Sequence, residues 1–169
     1  MKNSVFIVLI LSIILIASCA SDETCNQTKY VKLTANFYHV VFNDTTSIYK
    51  TSALGIDSLT VQGLTLDSTT GHYRSIDSLI YNNKKGAFTI NLPLNNFATS
   101  STFKIKFNTT IDTMTIYHAN MNDYLSLECG CIVTHSIDTV IMTHHYIDSV
   151  KIKIHDVNTI NAENIRLYK

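Results

Sequence analysis

Apolar residues recur at every second position over much of this chain. Phe103, Ile105 and Phe107 alternate with Lys104 and Lys106, and Met114, Ile116 and His118 alternate with Thr115 and Tyr117. Between Tyr30 and Phe42, Val31, Leu33, Ala35, Phe37 and Val41 fall on one side of an extended chain. Lys32, Thr34, Asn36 and Tyr38 fall on the other. Leu59 and Val61 repeat the pattern, as do Val150, Ile152 and Ile154, and finally Ile165 and Leu167. Successive side chains of a strand point to opposite faces, so each run has one face to bury and one to leave in water. No long segment carries apolar residues at 3.6-residue spacing, so a helix here would have no stripe to bury.

Turn chemistry punctuates these runs. Asn43-Asp44-Thr45-Thr46 turns the chain before a short strand at Ser47–Thr51. Asn82-Asn83-Lys84-Lys85-Gly86 reads as a hairpin turn between strands at Leu79–Tyr81 and Phe88–Leu92. Leu125, Leu127, Cys129, Cys131 and Val133 form a further apolar face. Five tetrapeptides share one pattern, beginning at Ile56, Ile76, Ile111, Ile137 and Ile147, each followed by Asp, Ser or Thr, and an apolar residue. Asp and Ser/Thr bond to nearby backbone at turns, so these units read as strand starts. Their spacing is irregular, which excludes a solenoid. About ten short strands imply an all-β, antiparallel β-sandwich, immunoglobulin-like or jelly-roll-like, with a closed barrel as the alternative.

The N-terminus reads separately. Lys2 precedes a 13-residue apolar run, Val5–Ala17, too short for a bilayer-spanning helix and suited to a cleaved signal peptide over residues 1–18. Ile16-Ala17-Ser18-Cys19 resembles the bacterial lipobox, which implies acylation of Cys19. Two or three acyl chains anchor a protein stably. Ala20 in place of an aspartate and the following Asp22-Glu23 resemble the export signal of Bacteroidota lipoproteins. That resemblance implies the outer membrane, with the cell surface favoured over the periplasmic face. Residues 19–29 would be a lipidated tether and 30–169 a single domain.

Thirteen basic and thirteen acidic side chains leave no net charge, and no basic run marks a nucleic-acid partner. The sequence lacks a Gly-x-Ser-x-Gly elbow, a His-Glu-x-x-His pair and a Gly-rich phosphate loop, so no enzyme class is indicated and no cofactor is expected. With Cys19 acylated, Cys25, Cys129 and Cys131 remain. A bond between Cys129 and Cys131, two apart on a strand, would be strained. Cys25 can pair with either one. Cys129, Cys131 and His135 on one strand face offer an alternative, a thiolate–imidazole metal set.

Leu127-Glu128-Cys129-Gly130-Cys131, two of the Ile-Asp-Ser/Thr units and the terminal Glu163-Asn164-Ile165-Arg166-Leu167-Tyr168 resemble a family of small, uncharacterised Bacteroidota lipoproteins. The resemblance implies a Cys25–Cys129 disulfide, with Cys131 departing from the family pattern. The Asp-Ser/Thr units also resemble O-glycosylation acceptors of exported Bacteroidota proteins, which makes Ser58, Ser78, Thr113, Thr139 and Ser149 candidate glycan sites. Together these readings imply a non-catalytic, lipid-anchored envelope protein that binds an envelope protein or extracellular ligand. A small-ligand or metal-binding protein is the alternative.

Overall fold

The computed structural model describes Cys25 and residues 28–44, 48–66, 70–71 and 73–169. The expected leader at 1–18, Cys19 and Thr45-Thr46 lie outside these residues. Among the described residues the chain forms eleven strands. They are β1 (Leu33–Asn43), β2 (Ile48–Ala53), β3 (Leu59–Leu66), β4 (Tyr73–Lys84), β5 (Thr89–Leu92) and β6 (Ser100–Phe107), then β7 (Thr110–Ser126), β8 (Gly130–Met142), β9 (Ser149–Ile152), β10 (Asp156–Val157) and β11 (Glu163–Tyr168).

The first sheet is built on β1. One edge of β1 carries β11, with Ala35 opposite Ile165 and Phe37 opposite Leu167. The other edge carries β5 along Leu33–Asn36 and β2 along Tyr38–Asn43, end to end. β9 completes the sheet on β11. The second sheet runs β10-β8-β7-β6-β3-β4, every neighbour antiparallel. Inward-facing residues are largely those the alternation selects, except that Val41 and Ile154, on the same predicted faces, are 48% and 41% exposed. Leu33, Ala35, Phe37, Ile90, Leu92, Ile165 and Leu167 come from the first sheet. Leu59, Val61, Phe103, Ile105, Phe107, Met114, Ile116 and Ile137 come from the second, and all join one core. Phe37 meets Phe107 edge to face at 5.6 Å between ring centroids, a direct contact between the sheets. The molecule is a β-sandwich.

Five features differ from the sequence expectation. The β1–β11 pair is parallel. A parallel pair cannot be joined by a tight turn, and these strands are the first and last of the fold, so chain connection imposes no such turn. The strands are not uniformly short, since β7 has 17 residues and β8 has 13.

Asn82–Gly86 does not close a hairpin. β4 belongs to the second sheet and β5 to the first, so the chain crosses between layers there. Asn83 and Gly86 both take positive φ (49° and 60°), and Ala87 bridges Ile56. The inward residues Ile90 and Leu92 are buried in the first sheet, which a hairpin onto β4 would not allow.

Leu125–Val133 is not one strand but the end of the β7–β8 hairpin, with Leu125-Ser126 closing β7, a turn at 127–129 and Gly130–Val133 opening β8. Gly130 stands at φ 71°, a backbone shape that suits glycine, and Ser126 Oγ accepts the Cys129 amide at 3.0 Å. Of the five tetrapeptides, those at Ile56 and Ile147 precede strands β3 and β9, and the one at Ile111 lies one residue inside β7. Those at Ile76 and Ile137 lie mid-strand, in β4 and β8, where extended backbone overrides their turn preference.

Candidate binding pocket and its supporting polar network

The connection from β5 to β6, Pro93–Thr99, folds over one mouth of the sandwich. Asn95 begins it with a side-chain turn, its Oδ1 accepting the Phe97 amide at 2.9 Å, and Phe97 projects 99% exposed. Beneath this loop lies a pocket of about 430 Å³. Gly63, Leu64, Leu94 and Phe103 line it with apolar surface, Thr65, Ser101 and Thr102 add hydroxyls, and among the described residues none that lines it is charged. Gly63 sits opposite Phe103 on β6 and contributes backbone, not a side chain, to the lining.

A buried network holds the loop in place. Ser101 on β6, His118 and Asn120 on β7 and His135 on β8 converge through sheet pairing. His118 pairs with Ile137 after a register shift, and Asn120 pairs with His135. Asn120 Nδ2 donates to the carbonyl oxygens of Ala98 (3.0 Å) and Asn95 (3.2 Å), so its Oδ1 must accept. His118 Nδ1 (2.9 Å) and His135 Nδ1 (2.8 Å) both donate to that oxygen. Each imidazole therefore carries its proton on Nδ1. His118 Nε2 then accepts the Ser101 hydroxyl at 2.9 Å, and Ser101 Oγ accepts the Asn95 amide at 2.8 Å. The two rings lie 5.0 Å apart and each residue is 1% exposed. Burial pushes the His135 imidazole down to about 4, with the nearby His118 adding to the effect. Burial lowers His118 as well, against the opposing effect of Asn120 and the Asp138 charge.

Ser101, His118 and Asn120 stand in the order nucleophile, base and orienting amide found in acyl-transfer enzymes. Their bonds serve the loop, however. Ser101 Oγ accepts a loop amide, and both Asn120 amide protons go to loop carbonyls. The sequence reading recognised His118 only as an alternating strand residue. The remaining signal, polar residues at inward positions of three consecutive strands, becomes visible only once their register is known.

Two other polar clusters fix the architecture. Asp112, fully buried, gathers the turn after β8. Oδ1 accepts from the Thr143 hydroxyl (2.9 Å) and the His145 amide (2.8 Å), and Oδ2 accepts from the amides of Tyr146 (3.0 Å) and Ile147 (3.1 Å). Desolvation would raise its pKa, but these donors together hold it below the ordinary carboxylate value. In the terminal motif, Glu163 accepts from Asn36 (2.9 Å), Tyr38 (2.6 Å) and Arg166 (2.8 Å). Asn164 accepts the Thr34 amide at 3.0 Å and donates to the Asp156 and Ile154 carbonyls. It fills the break in the β1–β11 ladder between Thr34 and Ala35.

Cys25 and Cys129 form a disulfide, with Cα atoms 4.8 Å apart, and Cys131 is a free, exposed thiol. The alternative metal set is therefore not assembled. Cys129 is bonded to Cys25, and His135 is buried against Asn120. Four residues of extended strand place Cys131 about 13 Å along from His135. Among the candidate glycan sites, Thr139 and Ser149 are exposed. Ser58 and Thr113 are half-buried, and Ser58 Oγ bonds Asn83. The side chain of Ser78 lies outside the described residues.

Fold and site together define a disulfide-stapled all-β sandwich with a pocket at one mouth that is uncharged among the described residues. The chain belongs to a family of unknown function, DUF6452, whose model matches residues 58–169. No match is found among curated proteins, and none among solved structures.

Proposed function

We propose that this chain is a lipid-anchored envelope protein of the Bacteroidota, held at the outer membrane through Cys19 and facing the cell surface. It works there as a non-catalytic binding module. The observation that carries this reading is the Cys25–Cys129 bond, because such bonds persist in exported proteins and are rare in the cytosol. It fits the lipobox at Ile16–Cys19 and joins the segment after the acylated cysteine to the folded domain. The pocket beneath Pro93–Thr99 supplies the binding site. Its uncharged lining of apolar surface and hydroxyls suits a neutral ligand, either a small amphiphile or an apolar segment of an envelope protein. Thr139 and Ser149 are the glycan acceptors of this reading, since both are exposed.

Intact mass of the protein taken from its native membrane tests the anchor. The expected species begins at Cys19, carries acyl mass and gains two hydrogens on reduction, with hexose-type increments if Thr139 or Ser149 is modified. A mass matching an unacylated chain with all thiols free sinks the reading. Native mass spectrometry of the same preparation tests the pocket. A co-purifying neutral ligand should be lost in Gly63→Leu, and retention in that variant would remove the pocket from the proposal.

A further inference from the structure

The β7–β8 hairpin continues past the network at Asn120 and ends in an exposed apolar tip. Leu127 is 89% exposed, Tyr124 is 63% exposed and Met121 45%. A lone exposed Leu is ordinary; its position here is not. Cys129, two residues on, is bonded to Cys25, and Cys25 lies six residues after Cys19. Six residues span at most about 20 Å even when fully extended. Adding the 4.8 Å across the disulfide and two residues back to Leu127, the bond keeps the tip within about 30 Å of the acyl chains that the anchor reading places on Cys19. Without it, Cys19 would be tied to the fold only through the 14 residues leading to β1 at Leu33.

We propose that the hairpin tip is a second membrane contact, with Leu127 buried at the headgroup–acyl boundary and Tyr124 at the polar level beside it. This rests on the anchor reading above. The chemistry fits a lipid surface approached by apolar contact. Leu127 supplies the apolar anchor, and Tyr124 pairs an apolar ring with a hydroxyl that stays hydrated, the arrangement favoured at bilayer interfaces. Charge does not draw the tip in, because no Lys or Arg occurs between Lys106 and Lys151, while Asp123 and Glu128 flank the apolar residues. Binding through the tip is therefore insensitive to salt and to anionic lipid. The contact also gives the staple a purpose beyond stability. One anchor leaves a domain free to swing on its tether, whereas an anchor and a tip together fix which end faces the membrane.

The chain contains no Trp, so a single introduced Trp reports its own surroundings. Leu127→Trp in the acylated protein, reconstituted into phosphatidylcholine vesicles with and without brominated acyl chains, is compared with Ile111→Trp. Ile111 is also exposed, and it sits near the far end of β7, about 50 Å along the strand. Emission from the Leu127→Trp protein is expected to shift to the blue and to be quenched by brominated lipid, with emission from the Ile111→Trp protein unaffected. The shift should be unchanged at high salt and should weaken in the Cys25→Ser background. Leu127→Trp protein that floats with the vesicles while its emission stays unquenched overturns the tip contact and leaves the anchor standing. Protein that carries no acyl mass and does not float overturns the anchor, and the tip contact with it. A blue shift without vesicles that grows with protein concentration assigns the tip to a second copy of the chain and overturns the lipid contact.

Discussion

Acidification from about pH 7 to about pH 4.5 is expected to cost the folded domain roughly 3 kcal/mol, chiefly through His135. Burial holds that imidazole at about 4, against about 6.5 in an unfolded chain. Between those values the unfolded state binds a proton that the folded state does not. Stability therefore rises with pH through this window, is fully present above about 6.5, and is lost as pH falls toward 4. The roughly 2 pH units between about 6.5 and 4.5, at 1.36 kcal/mol each, give the stated size. His118 acts in the same direction, because burial lowers it too. The carboxylates occupy a lower window. Desolvation opposes the ionised forms of Asp112 and Glu163, but their donors outweigh it and hold both below their ordinary values. Their contribution is lost only as pH falls below about 4. Urea titrations at constant temperature, followed by far-UV circular dichroism, separate the two sets. The midpoint should begin to fall near pH 6.5 in the native chain and near pH 4 in a His118→Gln/His135→Gln variant. A midpoint that is flat from pH 7 to pH 5, or a slope that survives in the double variant, would refute the reasoning.

Cys25→Ser frees the end of a loop with a sequence separation of 104 and should cost about 4–5 kcal/mol in the chain-entropy model, seen as a lower urea midpoint that reducing agent no longer shifts. Asp112→Ala leaves three turn amides and the Thr143 hydroxyl without their acceptor, so a loss of at least about 3 kcal/mol is expected in the same titration. Asn164→Ala removes the side chain that satisfies Thr34 and two carbonyls, and should cost about 2–3 kcal/mol and speed amide exchange at Thr34. Glu163→Gln weakens only a partly exposed pair with Arg166, so its cost should stay within about 1 kcal/mol.

Period-two alternation was enough to read the core. Leu33, Ala35 and Phe37, then Phe103, Ile105 and Phe107, are buried on the faces that the spacing selects. Local turn chemistry was a poorer guide, because it does not say which sheet the next strand joins. Asn82–Gly86 has the composition of a hairpin turn, yet it carries the chain between layers, and that choice belongs to the burial of Ile90 and Leu92. Tetrapeptides of one pattern likewise meet different fates. Ile137 and Ile147 are buried with their aspartates exposed, whereas at Ile111 the phase is inverted and Asp112 points into the core. Nothing in the four residues distinguishes the cases; the register of β7 against β6, with Ile105 opposite Asp112, does. The Ser101–His118–Asn120–His135 network was illegible for the same reason. Its members come from three strands, and their meeting depends on the offset between β7 and β8 at His118.

The stretch matched by the family, residues 58–169, omits β1 and β2, yet β1 is the strand on which the first sheet is built. Without it β5 has no partner in that sheet, β11 keeps only β9, and the core loses Leu33, Ala35 and Phe37. Phe107 loses its edge-to-face partner, and Thr34 no longer meets Asn164. The matched segment is therefore most of the chain but not a physical unit. β1 begins eight residues after Cys25, so the strand that completes the sandwich and the cysteine that staples it arrive in one short N-terminal stretch. The same stretch leads to Cys19. Whatever pulls on the N-terminus is shared between a disulfide at the hairpin tip and a central strand bonded on both edges. An anchor attached there loads the whole sandwich and not a fraying end.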